Sequence, residues 1–234
     1  MWNNFFSFRE ITTNLIANII ASLAVMVFVL FQGHFKRLLL QTANTAFSLI
    51  TGRKFIFLWN DVDIAISKQI VKFLEKSQPN FHFQVLQSPK DILNYILSPK
   101  TTGCVILIIT DVTKLSEDVK IRDRIQKSLL NYVYKGGGII GTHDIVYRRV
   151  RNQLLENIFG CQLNCFLRTD KKIEYIKNPD FVDHPFCRDL PERFSVSDGE
   201  IVWGNWSPDA LPLFSTEDGK PLVIAREYAK GRIV

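Results

Sequence analysis

The chain has 234 residues, of which 47% are apolar and 22% charged, an ordinary balance for a globular protein with room for one medium domain and an accessory element. Its formal charge of +6 lies entirely beyond residue 35, scattered among acids. No basic repeat is interleaved with aromatics, which argues against a nucleic-acid partner. The four cysteines, Cys104, Cys161, Cys165 and Cys187, are too sparse for the disulfide framework of a small secreted domain. They read as reduced thiols, buried small hydrophobes plus one at the surface.

In chain order, the first element is an uncharged stretch between Glu10 and Lys36. Residues 15–31 are almost wholly apolar, and about 20 helical residues at ~1.5 Å each cover the ~30 Å hydrocarbon core of a bilayer. The run is longer than a signal-peptide core, has no basic n-region and lacks a small-x-small cleavage site, so it reads as a transmembrane helix. Lys36, Arg37, Arg53 and Lys54 follow it and Arg9 alone precedes it. The positive-inside rule then puts the bulk of the chain in the cytoplasm, as a single-pass membrane protein with the lipid bilayer as partner. Asn14, Asn18 and Ser22 recur every four residues beside Ala17, Ala21 and Ala24. That side either faces a second copy, giving a homo-oligomer, or holds Asn14 at the interface and Asn18 as the cap of a tilted helix. Residues 34–52 mix apolar and polar side chains and read as a juxtamembrane linker helix. The organisation is therefore 1–33, 34–52 and a domain over 53–234.

From Arg53 short apolar runs alternate with amphipathic stretches, the pattern of a parallel α/β sheet. Strands are expected over 54–59, 81–86 and 104–109, the first ending at Asn60 and Asp61 and the third at Thr110 and Asp111. Helices are expected over 63–77, 89–97, 118–134 and 148–159. Between the last two lies Lys135-Gly136-Gly137-Gly138-Ile139-Ile140-Gly141-Thr142-His143-Asp144, a glycine run, a short strand and a turn. Polar groups at the carboxyl end of a parallel strand border the crevice where such sheets bind ligands. The glycines do not follow the G-x-G-x-x-G phosphate pattern. Beyond Gly160 the chain holds a strand over 174–177, a proline-rich loop over 179–191 and a hairpin over 222–234 turning at Lys230-Gly231, an antiparallel extension of the sheet. Val234 falls inside an apparent strand, the ending a truncation would produce.

Three stretches carry a family resemblance. Gly136–Asp144 (GGGIIGTHD) resembles the glycine-rich strand and turn of ThuA-like proteins, the trehalose-utilisation branch of the class I glutamine-amidotransferase-like superfamily. Val182–Phe194 (VDHPFCRDLPERF) is similar to that family's His-Pro, Leu-Pro and Phe series, and Asp198-Gly199-Glu200 follows where members carry an Asp-Glu pair. Ala229–Val234 (AKGRIV) resembles its terminal Gly-Lys-Gly-Arg-Val strand. The resemblance spans residues 53–234 and implies a flavodoxin-like, mostly parallel α/β sheet, here preceded by a transmembrane helix that is not part of the family pattern. It also implies a loss. The glutamine amidotransferases carry a cysteine nucleophile in the turn that here holds His143, so glutamine hydrolysis is not expected. Thr142 beside it is a weak nucleophile without a base.

The residues leave three uses for His143 and Asp144 open: capping the next helix, binding a ligand, or acid-base catalysis with His184 and nearby carboxylates. The ligand-binding set is Asp61, Asp111, Gly141, Thr142, His143, Asp144 and Glu200. Asp198 and Glu200 line the crevice or form a solvated turn, and Trp203 and Trp206 stack on a sugar or base or pack the core. Cys161-x3-Cys165 and His184-x2-Cys187 do not have the usual two-residue spacing of a zinc knuckle, so neither a metal nor a cofactor is read. The expected function is a membrane-anchored sensor or effector that binds a nucleotide or carbohydrate. The alternative implied by the resemblance is a carbohydrate-metabolism enzyme using His143 and neighbouring carboxylates, and a scaffold for other membrane proteins is a third reading.

Overall fold

The computed structural model describes residues 32, 35–61, 64–95, 97–108, 115–146, 152–197 and 199–234. The chain divides into a unit of Met1–Asn44 and a compact unit of Thr45–Val234. Residues 35–51 are helical (α1). Among the described residues no helix is long and apolar enough to cross a membrane; the apolar run 15–31 lies outside them.

The second unit is built on five parallel strands. β1 (Lys54–Asn60) is flanked by β2 (Phe81–Val85) and β3 (Thr102–Ile108), β4 (Gly138–Gly141) pairs with β3, and β11 (Gly231–Ile233) pairs with β4. β1 is buried on both faces, as the central position of a parallel strand demands. The connections are α2 (Ile64–Ser77), a 3-10 turn over Pro89–Asn94, and α3 (Val119–Tyr134). Ser88 and Asp91 form a capping box on the 3-10 turn: the Lys90 N–H donates to Ser88 Oγ and the Ser88 N–H to Asp91 Oδ2. Only this tight turn forms where residues 89–97 read as a helix, since the chain is already extended at Tyr95 (ψ 145°). On one face of the sheet Phe55 and Phe57 stack at 5.8 Å and join Ile125, Leu129 and Tyr132 of α3 in the main core. Each such side chain contributes roughly 1.5–3 kcal/mol of transfer free energy.

β11 is the second arm of the hairpin read in the sequence. It runs antiparallel to β10 (Pro221–Tyr228), which continues the sheet through β9 (Leu211–Ser215), β6 (Ile173–Lys177) and β7 (Arg193–Val196). The full order is β2-β1-β3-β4-β11-β10-β9-β6-β7. A smaller core fills this extension, where Phe214 and Cys187 are fully buried beside the stacked Tyr175 and Phe194 rings. α4 is Gln153–Phe159 and ends at Gly160, whose φ of 66° is left-handed. After it the chain forms β5 (Cys161–Arg168), which pairs antiparallel with β8 (Glu200–Trp206) as a separate two-stranded ladder. That ladder has no counterpart in the sequence reading, and it builds one wall of the site described next.

Candidate functional site

The turn after β4 is shaped by two close approaches. A Cβ on Gly137 would lie 2.2 Å from the Tyr132 ring, so only glycine lets the chain cross it. Tyr132 is fully buried, donates its hydroxyl to Thr102 O at 3.1 Å and accepts the Gly138 N–H at 3.3 Å, fastening α3 to the start of both β3 and β4. At the other end of β4 a Cβ on Gly141 would meet Ile145 and Phe159, each at 2.8 Å. Gly141 therefore sinks against the core, its N–H donating to Val234 O (2.9 Å) and that of Thr142 to Leu107 O (3.1 Å). The glycines of this stretch thus serve packing and do not cradle a phosphate.

Thr142 is extended (φ −84°, ψ 162°) and His143–Ile145 form a single 3-10 turn. Neither Thr142 nor His143 has the positive φ associated with a strained nucleophile elbow. His143 Nε2 lies 3.4 Å from Asp144 Oδ1, with the two side chains 33% and 14% exposed. The carboxylate stands beside the imidazole, and the pair sits at the rim of the sheet with one face open.

That face opens on a cavity of about 270 Å³. Ile140, Gly141, Thr142 and His143 form its floor. The β5–β8 ladder supplies Cys161, Leu163, Val202 and Trp206. β10 contributes Leu222 and Ile224 from the opposite side, and Phe159 of α4 closes the back. Phe186 reaches in from the proline-rich loop, which is held to β6 by Lys177: its ammonium donates to Cys187 O (2.8 Å) and Leu190 O (2.5 Å). α4 is held by Arg226, whose guanidinium donates to the carbonyls of Asn157 (2.6 Å) and Ile158 (3.2 Å) and to Asp209 (2.8 Å). A cation on the last carbonyls of a helix satisfies them and complements the dipole.

Cys161 brings a thiol to the wall, but burial, reinforced by the nearby Glu156 carboxylate, pushes its pKa up to about 12. A thiol held protonated at neutral pH is a poor nucleophile. Cys104, below β4, is likewise pushed to about 12 by burial.

Of the expected site residues, Gly141, Thr142 and His143 line the cavity and Asp144 stands beside His143. Asp61 follows β1, its N–H donating to Ile108 O at 3.1 Å, and is not part of the lining. Asp111 and Asp198 lie outside the described residues. Glu200 pairs with Arg168 at the far end of the ladder, six residues along β8 from Trp206, or about 20 Å at ~3.3 Å per residue. His184 accepts the Phe186 N–H on Nδ1 (3.2 Å) and so shapes the loop that carries Phe186. It does not line the cavity. Trp206 is in the wall, whereas Trp203 receives Lys220 over its ring at 5.3 Å. Among the described residues Cys161, Cys165, His184 and Cys187 do not gather into a metal-binding group. The residues that sequence reasoning missed are the apolar ones of β5, β8 and β10. Their available signal was the alternation of Cys161 and Leu163, and of Val202, Gly204 and Trp206, which marks one face of each strand.

The fold has solved counterparts. A ThuA-like protein from Bacteroides uniformis superposes with a TM-score of 0.56 at 13% identity, over 78% of this chain and 80% of that one. A ThuA-like protein from Parabacteroides merdae (TM-score 0.48, 16% identity, 77% of each chain) and a glutamine amidotransferase from Thermotoga maritima (0.46, 14%, 78% and 74%) are more distant. Neither a family model nor a curated protein matches the chain. The first of these likenesses is one of fold: a mixed α/β domain with a mostly parallel central sheet, similar to that of the ThuA-like protein.

Proposed function

We propose that the chain is a membrane-anchored binding protein whose ThuA-like domain takes up a small molecule in the cavity beside the β4 turn. The observation that carries this reading is the cavity itself: a concave site at strand carboxyl ends, with Thr142 and His143 at its floor and an inert thiol in its wall. Sites of this placement are where open α/β sheets hold ligands. The apolar run 15–31, with Lys36, Arg37, Arg53 and Lys54 downstream, supports an anchor with the domain on the cytoplasmic side. The Asn14, Asn18 and Ser22 stripe supports self-association through that anchor. In this reading the domain is a sensor or effector that reports ligand occupancy to the membrane.

The test is a thermal-shift panel on the full chain in lipid nanodiscs, covering nucleotides, sugars and small hydrophobic compounds. Binding to the native state alone stabilises it by about 2.7 kcal/mol at a hundredfold excess over Kd. For a chain of this size that raises the midpoint by about 5–10 °C. A flat response across all three classes overturns the reading and favours a scaffold. The His143–Asp144 pair favours a second reading, a carbohydrate-directed enzyme in which the imidazole moves a proton. Turnover of a sugar abolished by His143→Ala, with the midpoint unchanged, would establish it.

A further inference from the structure

The lining of the cavity narrows its ligand. We infer that it takes a neutral, largely apolar molecule of about two fused rings, or the equivalent aliphatic volume, carrying one hydrogen-bonding group. This rests on the reading of the cavity as a ligand site.

Three observations carry it. The walls are hydrocarbon from every side: Leu163 and Val202 from the ladder, Leu222 and Ile224 from β10, Phe159 and Phe186 from helix and loop. Among the described residues no Lys, Arg, Asp or Glu is in the lining. A phosphate is bound by cationic side chains or by free backbone N–H groups. Here the N–H groups of Gly141 and Thr142 are already donated to Val234 and Leu107. A sugar fares no better, because each buried hydroxyl left without a partner costs roughly 1–3 kcal/mol. The hydrogen-bonding side chains at hand are Thr142, His143 and the Trp206 indole, with the weakly donating Cys161 thiol beside them.

Size points the same way. An apolar cavity of about 150 Å³ suffices for benzene, and pockets for drug-sized ligands begin near ~300 Å³. At about 270 Å³ this one matches a bicyclic aromatic. The polar groups that would suit a sugar, Asn157, Gln162, Asn205 and Arg226, lie in a different cleft, reached from the other side of Cys161 and Trp206. The ligand's one polar group then meets Thr142 and His143, and its rings lie between Phe186, Val202 and Leu222.

The test uses 5-fluoroindole, a neutral bicycle with a single N–H, followed by fluorine NMR on the full chain in nanodiscs. Empty nanodiscs measure the linear partition into lipid. Saturable binding above that background is expected, undiminished by excess AMP or trehalose and weakened at least about tenfold by Val202→Trp, which fills the cavity. Val202→Ile should change it less than about threefold. Leu222→Trp fills the same space from β10, so loss in both tryptophan variants at an unchanged thermal midpoint separates filling from unfolding. If AMP or trehalose binds in a manner that Val202→Trp abolishes while 5-fluoroindole does not saturate, the apolar assignment fails and the ligand site stands. If none of the three saturates, both fail.

Discussion

Cys161 shows how burial decides chemistry at the scale of one residue. Its thiol faces the cavity, where a nucleophile would be placed for attack, yet desolvation holds its pKa near 12. A raised thiol pKa keeps the group almost wholly protonated, and therefore slow to react, at neutral and mildly alkaline pH. Cys104 shares this state and Cys187 is pushed up by burial beside Phe214, whereas Cys165 is exposed. Iodoacetamide at pH 8 is accordingly expected to modify Cys165 and to leave the other three, as read by peptide mass spectrometry of the folded chain. Rapid modification of Cys161 would contradict the account of the wall. The sequence spacing foretold one surface thiol among buried ones. Which thiol stood at the surface depended on strand β5, whose outward positions after Leu163 become visible only once its pairing with β8 is known.

Among the elements, the junction of α3 and β4 explains the glycines that first mark the chain. Tyr132 fills the space that side chains at 137 would need, and its hydroxyl joins Thr102 O to the Gly138 N–H. Tyr132→Phe leaves a buried donor and acceptor without partners, at a cost of roughly 1–3 kcal/mol. The midpoint of thermal unfolding is expected to fall by about 2–10 °C. Gly137→Ala is expected to cost more, since the ring has to leave its place. Unchanged midpoints in both would show that the glycine run is not a packing device. Up to Gly160 the strands and the helices α2 and α3 were legible, the helix read over 89–97 being the exception, because apolar periodicity and punctuation agree there: Asp118 caps α3 and Gly160 ends α4, and beyond it the Lys230-Gly231 turn marks the β10–β11 hairpin. β5, β8 and β9 were not. Their apolar runs are broken by Asn164, Gly204 and Pro212, and β5 and β8 pair with each other far along the chain, so no clear local pattern announces them.

For the whole molecule, the parallel β2-β1-β3-β4 part follows from the alternating pattern, and the likeness to a ThuA-like protein agrees with it; β11, read as part of an antiparallel extension, instead runs parallel to β4, and the antiparallel part begins at β10. The site was half legible. Its floor, Gly141 to His143, could be read from the glycine turn, but its walls are assembled by the ladder, by β10 and by a loop that Lys177 and His184 hold in place. Of the carboxylates that looked convergent in the sequence, Glu200 stands at the far tip of the ladder, whereas Asp61 follows β1 at the same carboxyl edge as Thr142, the two N–H groups donating to the adjacent carbonyls Ile108 O and Leu107 O of β3. Entry of a small molecule beside β4 is the central requirement of a ligand site there. Methyl NMR of the isoleucine-labelled full chain in nanodiscs tests it directly, with the compound from the panel that raises the midpoint most. Ile140 and Ile224 line the cavity, while Ile66 on α2 and Ile176 on β6 do not. Saturable shifts at Ile140 and Ile224 with Ile66 and Ile176 unmoved are the predicted result. Shifts at Ile66 or Ile176 with Ile140 and Ile224 silent would contradict it.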